Sequence, residues 1–429
     1  MKKNFALCCL IIGLFVLAIA AFTPAPQESE PLPEIVLWAK TGVEGDALEK
    51  AAYVYTRETG NPVKVLILGR SGFRQKYKTA LAAGSTEVDG ILDISRESVG
   101  LAAGGMLHNM DEYMLNAEGY DLEDISPSIL NEMKFDGHYY MVPTDTSLET
   151  LVYRTDLIEK APETWDELVE IAKNFTKEYN PDSPTDYGYA FAGGPGVLTG
   201  TVLGIQHGYG ANIVDENMCV TVDSEEFITA FTKLMNMRNV DKITPADITA
   251  WDYQELLVAL QEGIVPMAAF FSSGMETLYN CEESPNVCEN IVMALQPAGP
   301  AGAFTRVNPL GIMVNEASER KDATWAFLEW LTNPTGALLY TQMGGTSPRS
   351  SVLNDPALVE ARPWLPTMEA VGANGIGTLR VAQAGDINTI FNKWADMAMA
   401  GELTPEEALR NCADELRTLL DEANNPACK

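Results

Sequence analysis

The sequence predicts an α/β protein of two domains, and three observations lead there. Apolar strands alternate with amphipathic helices from the start of the folded region: strand over 35–38, helix over 44–59, strand over 62–68, helix over 72–83, strand over 90–94. That order implies a mostly parallel sheet covered by helices, with ligands meeting the loops at the carboxyl ends of its strands. The length, 429 residues, exceeds what one core usually supports. Finally, the stretch 139–168 has a polar middle that no buried strand needs. Val142-Pro143 stops one element, 144–150 is small and polar, and Leu151-Val152-Tyr153 resumes an apolar run, so the chain reads as crossing between domains here.

The remaining elements repeat the scheme. Thr164 stands three residues before Glu167 and ahead of Leu168, Ile171, Ala172 and Phe175, a capping box that opens a helix over 165–178. Helices follow over 224–238, 253–261 and 321–331, with strands over 266–271, 291–295 and 310–314. Two last helices, 385–399 and 404–422, are separated by Gly401-Glu402-Leu403, and Thr404-Pro405-Glu406-Glu407 marks the second start. The Gly-rich stretch 193–204 receives no element.

Charge and motifs exclude several classes. Sixty acids against 29 bases give a net charge of −31, which removes the clustered Lys and Arg that nucleic acid requires. No Gly-x-Ser-x-Gly, Lys-bearing phosphate loop or His-rich metal motif occurs, the only histidines being His108, His138 and His207. No cofactor and no metal are expected.

The first 22 residues carry a basic start, Lys2-Lys3, an apolar run from Phe5 to Phe22 and the small-x-small site Ala18-Ile19-Ala20. They read as a secretory signal, or as an uncleaved anchor since the run nears the span of a bilayer. Residues 23–33, rich in Pro and Glu, read as a linker. Cys8 and Cys9 come too early in the run for a lipid attachment. Five cysteines remain in an oxidising compartment. Cys281 and Cys288 flank a turn-prone loop and are expected to pair, Cys412 with Cys428 is expected to staple the last helix to the tail, and Cys219 is left over.

Val142-Pro143, Tyr153-Arg154-Thr155-Asp156-Leu157 and Pro162-x-Thr164-Trp165-x-Glu167-Leu168 together resemble the hinge region of the solute-binding proteins of ATP-binding-cassette importers, in the carbohydrate-type, maltose-binding-protein-like family 1. Similar segments recur over 35–48, 80–113, 256–273, 310–334 and 344–349. The resemblance implies a two-lobed periplasmic-binding-protein-like fold (type II), each lobe a mostly parallel sheet flanked by helices. Lobe 1 would combine 34–142 with 310–344 and lobe 2 would combine 151–305 with 351–429. Hinge crossings would lie at 143–150, 306–309 and 345–350. It further implies a monomeric, non-enzymatic receptor, periplasmic or on the cell surface, that closes on a sugar and hands it to the transmembrane subunits of an ABC permease.

Strand ends then nominate the ligand site. Trp38, Lys40 and Thr41 follow the first strand, Arg70 and Phe73 the second, and Asp93 and Ser95 end the third. Asp145 and Thr146 stand at the first crossing and Arg349 at the third. Gly194, Trp251, Ser272, Ser273 and Trp364 face them from the second lobe. Sugar hydroxyls want carboxylates and Arg or Lys, and sugar C–H faces want flat rings, which suits Asp93, Asp145, Arg70, Lys40 and Arg349 beside Trp38, Phe73, Trp251 and Trp364. Trp165, Trp325 and Trp330 have helical spacing and read as packing. Two competing readings stand. A secreted glycosidase would set Asp93 and Asp145 across the cleft about 5 to 9.5 Å apart; a ligand sensor would keep the fold without transport.

Overall fold

Two sheets, each beside its own apolar core, organise residues 32–428, which this computed structural model describes. The expected signal or anchor over 1–22 and nearly all of the linker lie outside the described residues. Among the described residues, no helix is long and apolar enough to cross a membrane.

The first lobe opens with β1 (Ile35–Lys40), α1 (Val43–Thr59), β2 (Val63–Leu68), α2 (Phe73–Ala82), β3 (Gly90–Ile94) and α3 (Arg96–Ala103), in the order the apolar pattern predicts. β1 pairs in parallel with both β2 and β3. All five residues of β3 are buried, as in a strand covered on both faces. α1 buries Ala47, Leu48, Ala51, Ala52 and Tyr55 at helical spacing and ends at Gly60, whose φ of 78° supplies the left-handed turn. Two strands complete the sheet: β4 (Val142–Asp145) and β9 (Leu310–Val314), giving the order β2-β1-β3-β9-β4. Helices α8 (Lys321–Thr332) and α9 (Pro334–Gln342) follow, and α8 buries Trp325, Phe327, Leu328 and Leu331 in the same core.

The second sheet is centred on β5 (Leu148–Arg154). It runs antiparallel to β6 (Met267–Phe271), β7 (Ile291–Ala294) and β8 (Thr305–Val307), while β10 (Gly375–Ile376) adds in parallel to β8. Its core takes residues from α4 (Trp165–Asn174), α5 (Leu198–Gly208), α6 (Glu225–Asn239), α7 (Tyr253–Gln261), α10 (Ala384–Ala400) and α11 (Pro405–Leu419). Thr164 caps α4, its Oγ1 accepting from Glu167 N at 3.2 Å, but the Glu167 carboxylate accepts from Glu163 N and so closes only half of the expected box, whereas Thr404 and Glu407 cap α11 reciprocally.

The expectation of mostly parallel sheets fails here, since every partner of β5 is antiparallel. For β8 the cause is the chain's route. β4 and β5 carry it from the first sheet to the second, and β8 and β9 carry it back, so adjacent crossing strands must run in opposite directions. Val307 stands opposite Leu148, Leu310 opposite Asp145, and Asn308 N donates to Ser147 O at 2.7 Å between them. Thr146 N donates to Thr346 O at 2.8 Å, binding the first crossing to the segment after α9.

The helix expected over 165–178 stops at Asn174, where Thr176 Oγ1 turns back onto Ala172 O. α5 occupies the Gly-rich stretch that received no element, and its glycines are contact points. A Cβ on Gly200 would lie 2.2 Å from Arg306 Nη1, and one on Gly204 2.6 Å from Gln296 Oε1.

The disulfides correct one expectation. Cys281 pairs with Cys288, but Cys428 pairs with Cys219 and leaves Cys412 free. Cys412 lies on the core stripe of α11 with Ala408, Leu409, Ala413 and Leu416 and is wholly buried, out of reach of the tail. Beyond α11 the chain instead docks on the turn around Cys219, where Val220 N donates to Glu422 Oε2 and Asn425 Nδ2 to Asn217 O. Burial pushes the Cys412 thiol up to about 12. Thiol titration of protein truncated before residue 32 therefore finds no reactive thiol in the native state and one after denaturation. Cys219→Ala lowers unfolding stability by about 2–5 kcal/mol, because the bridge closes a long loop; denaturant melts measure it, and an unchanged midpoint would refute the pairing.

Candidate ligand cleft

A cavity of about 1160 Å³ opens between the two lobes. α2 and α3 wall it from the first lobe, α5 and α10 from the second, and Arg306 of β8 stands where the chain crosses. Three polar atoms on its lining have no hydrogen-bond partner among the described residues: Gln206 Oε1, Arg306 Nε and Asp396 Oδ1. Gln206 is 4% exposed and Arg306 8% exposed, and burying such atoms unpaired costs roughly 1–3 kcal/mol each. The lining therefore asks for a polar guest or for water.

Each group is positioned by identifiable neighbours. Arg306 Nη1 donates to Glu149 Oε2 of β5 at 3.1 Å, its guanidinium lies 5.7 Å over the Phe271 ring, and it rests on the bare face of Gly200. Burial raises the Glu149 pKa, and the Arg306 charge and hydrogen bond oppose that rise. Asp396 Oδ2 accepts from Gly196 N at 3.2 Å, while burial raises its pKa. Asn392 Oδ1 accepts from Thr199 N at 2.8 Å and locks α10 to the start of α5. From the first lobe, Arg96 begins α3, and Lys78 Nζ lies 2.7 Å from Glu97 Oε2.

A second cavity, about 220 Å³, adjoins the crossings, and it gathers five of the expected residues: Asp145, Thr146, Ser272, Ser273 and Trp364. Thr146 Oγ1 is buried there without a partner among the described residues. Ser272 Oγ accepts from Leu148 N, and Trp364 packs on Tyr279 with ring centroids 4.6 Å apart. Asp145 is the hub of the crossings. Its carboxyl accepts from Tyr340 Oη at 2.5 Å and from Thr346 N at 2.9 Å. Complete burial, reinforced by the nearby Glu44 charge, pushes its pKa up to about 7 despite those donors.

The other expected residues lie elsewhere. Asp93 is fully buried and engaged by Lys40 at 3.0 Å, Arg74 at 2.9 Å and Tyr77 Oη at 3.1 Å. Burial would raise its pKa, but Arg74 and Lys40 outweigh that and bring it down to about 2. Arg349 is 1% exposed and spends its guanidinium on the carbonyls of Thr332, Asp121 and Tyr120, so it braces the interior of the first lobe and does not reach the cleft. Ser95 donates to Glu132 Oε2 inside the protein. Trp38 and Phe73 belong to the first core and Trp251 to the second, and Gly193 and Gly194 both donate to the Trp251 carbonyl. Thr41 and Arg70 are exposed and bonded to one another, Arg70 Nε to Thr41 O at 2.9 Å. None of the fifteen lines the larger cavity, and the expected stacking rings are absent from its described lining, where aliphatic side chains such as Val99, Leu101, Leu203, Ile213 and Leu379 supply the apolar faces.

The sequence signal for what was missed is uneven. Arg96 directly follows Ser95 in the third strand-end loop, and Arg306 stands in the second crossing; both were reachable. Gln206 and Asp396 sit inside helices, where a polar residue reads as solvated.

Asp145 yields a pH test. Its folded pKa, about 7, exceeds the 3.8 of a free carboxylate. The group's contribution to stability is therefore complete below pH about 4 and is lost as pH rises through about 7. Urea unfolding between pH 4 and 8 should show a steeper decline for the wild type than for Asp145→Asn; equal slopes would contradict the assignment.

With that geometry in hand, comparison with known proteins places the chain. The family of bacterial extracellular solute-binding proteins matches residues 39–338. A curated relative, the probable amino-acid ABC transporter periplasmic-binding protein y4oP of Sinorhizobium fredii, is 25% identical over 61% of this chain. The match spans 58% of that relative's length. Among solved structures, the maltose-bound MalE3 of T. maritima superposes with a TM-score of 0.79 at 24% identity, covering 90% of this chain and 99% of that one. An ABC transporter solute-binding protein from Agrobacterium radiobacter K84 in complex with ribitol does so with a TM-score of 0.79 at 23% identity, covering 91% and 100%. Both show a shared fold.

Proposed function

The chain belongs to the bacterial extracellular solute-binding protein family, and from that premise we propose that it is an exported receptor which captures a sugar or polyol between its lobes. It delivers the solute to the transmembrane subunits of an ABC importer, working in the periplasm or at the cell surface, as a monomer. We propose lobe boundaries at 34–142 with 310–344 and at 151–305 with 351–429, joined by crossings at 143–150, 306–309 and 345–350.

One observation carries the reading: the 1160 Å³ cavity is walled by both lobes, and on its lining Gln206 Oε1, Arg306 Nε and Asp396 Oδ1 have no partner among the described residues. A hydroxylated guest bonded from both sides favours the closed arrangement by its difference in affinity for the two states. The smaller cavity at the crossings, with Asp145, Thr146, Ser272, Ser273 and Trp364, extends the site. The maltose and ribitol complexes of the two structural neighbours support a polyhydroxylated ligand. A binding role is favoured over glycoside hydrolysis because Asp93 and Asp145 flank β9 on opposite sides and each is engaged within the protein, so this pair is not free to act across the cleft.

A thermal-shift panel of sugars, polyols and amino acids tests this. A true ligand at about 100 times its Kd stabilises by about 2.7 kcal/mol, and Asp396→Ala weakens its binding about tenfold or more. A response confined to amino acids would replace the solute class.

A further inference from the structure

Resting on the reading of this cleft as a sugar site, we propose that its solute is an acidic sugar, one bearing a carboxylate or phosphate, and that Arg96 and Arg306 receive the anionic group. The protein carries a net charge of −31, yet the wall around Arg96 is locally cationic. Lys40 and Arg74 share Asp93, while Arg74, Lys78 and Arg96 share Glu97. Arg306 has Glu149. On this wall four cations therefore stand against two carboxylates, and the Arg306–Glu149 pair adds no net charge. Arg96 makes a single hydrogen bond, at 3.4 Å to Glu97, and its remaining N–H groups are free among the described residues.

Arg306 reaches the same cavity from the other lobe, 8% exposed and with Nε unpaired. Two guanidiniums that line one cavity are a costly arrangement when nothing lies between them. An anion removes that cost, and the planar N–H fork matches a carboxylate or phosphate edge. Arg96 is also the first residue of α3, so the amino end of a helix dipole adds to the attraction. The α10 wall differs in character. Asp386, Asn388 and Asp396 line it, acceptors suited to hydroxyl groups. Lys393, on the same wall, is matched by Glu415 at 2.8 Å. A guest with an acidic edge toward the crossing and hydroxyls toward α10 meets both walls.

Calorimetric titration of the full chain with D-galacturonate, D-glucuronate, digalacturonate and glucose 6-phosphate, each beside its neutral counterpart, decides the matter. The acidic member of a pair binds about tenfold or more tightly, Arg96→Gln collapses that ratio, and Arg96→Lys retains part of it. Which acidic member is preferred distinguishes carboxylate from phosphate. Neutral sugars binding as well as acidic ones, or a ratio that survives Arg96→Gln in a variant melting like wild type, overturns the inference alone. No response to any saccharide or polyol overturns the sugar reading and this inference with it.

Discussion

The two lobes are held in register by one buried carboxyl. Asp145 ends β4 and takes hydrogen bonds from Tyr340 of α9 and from the Thr346 amide, so a single side chain fastens the outgoing strand to the returning chain. A buried acid needs such donors, because an unpaired one costs far more than it contributes. The backbone repeats the fastening beside it, through Thr146 to Thr346 and Asn308 to Ser147. The result is a narrow hydrogen-bonded band between two self-contained cores. Such a band permits rotation about one axis and resists twist.

The same band explains where the cavities lie. Strands end at it, so loop and helix starts from both lobes converge on it, and Arg306 is carried into the larger cavity by the strand that runs back. Gly200 then matters at a distance in sequence, since only a residue without Cβ lets the guanidinium lie flat on α5. Sequence, packing and electrostatics meet at that contact. A Gly-rich stretch that looks structureless is a helix shaped around one arginine.

Strands β1 to β3 and helices α1, α7 and α8 were legible because their periodicity is the direct trace of burying one face. The chain's passage from β4 in the first sheet to β5 in the second falls where the sequence places polarity that a core strand could not hold. Side-chain direction was not legible. Arg349 stands at a crossing and turns inward to backbone carbonyls, and Asp93 ends a strand yet is consumed by Lys40 and Arg74. Position along a strand says which loop a residue enters; it does not say whether a partner within the fold claims it first. Gln206 and Asp396 escaped notice because helical periodicity marks polar residues as outward, and here outward from the core of the lobe means into the cleft.

The seam between the lobes is made of bonds that water can replace. Arg380 donates to the Ser95 and Lys134 carbonyls and to Ser98 Oγ, Thr378 donates to Glu132, and Ser128 to the Gly372 carbonyl. Little shared apolar core has to be broken to part these contacts, since among the described residues α9 alone serves both hydrophobic clusters, giving Ala337 to the second and Tyr340 to the first. Each polar bond lost at the seam is exchanged for one to solvent at a net cost of about 1 kcal/mol. At such a seam the unpaired Gln206 Oε1, Arg306 Nε and Asp396 Oδ1 matter, because a guest that bonds to them from between the lobes adds contacts that the closed arrangement alone offers.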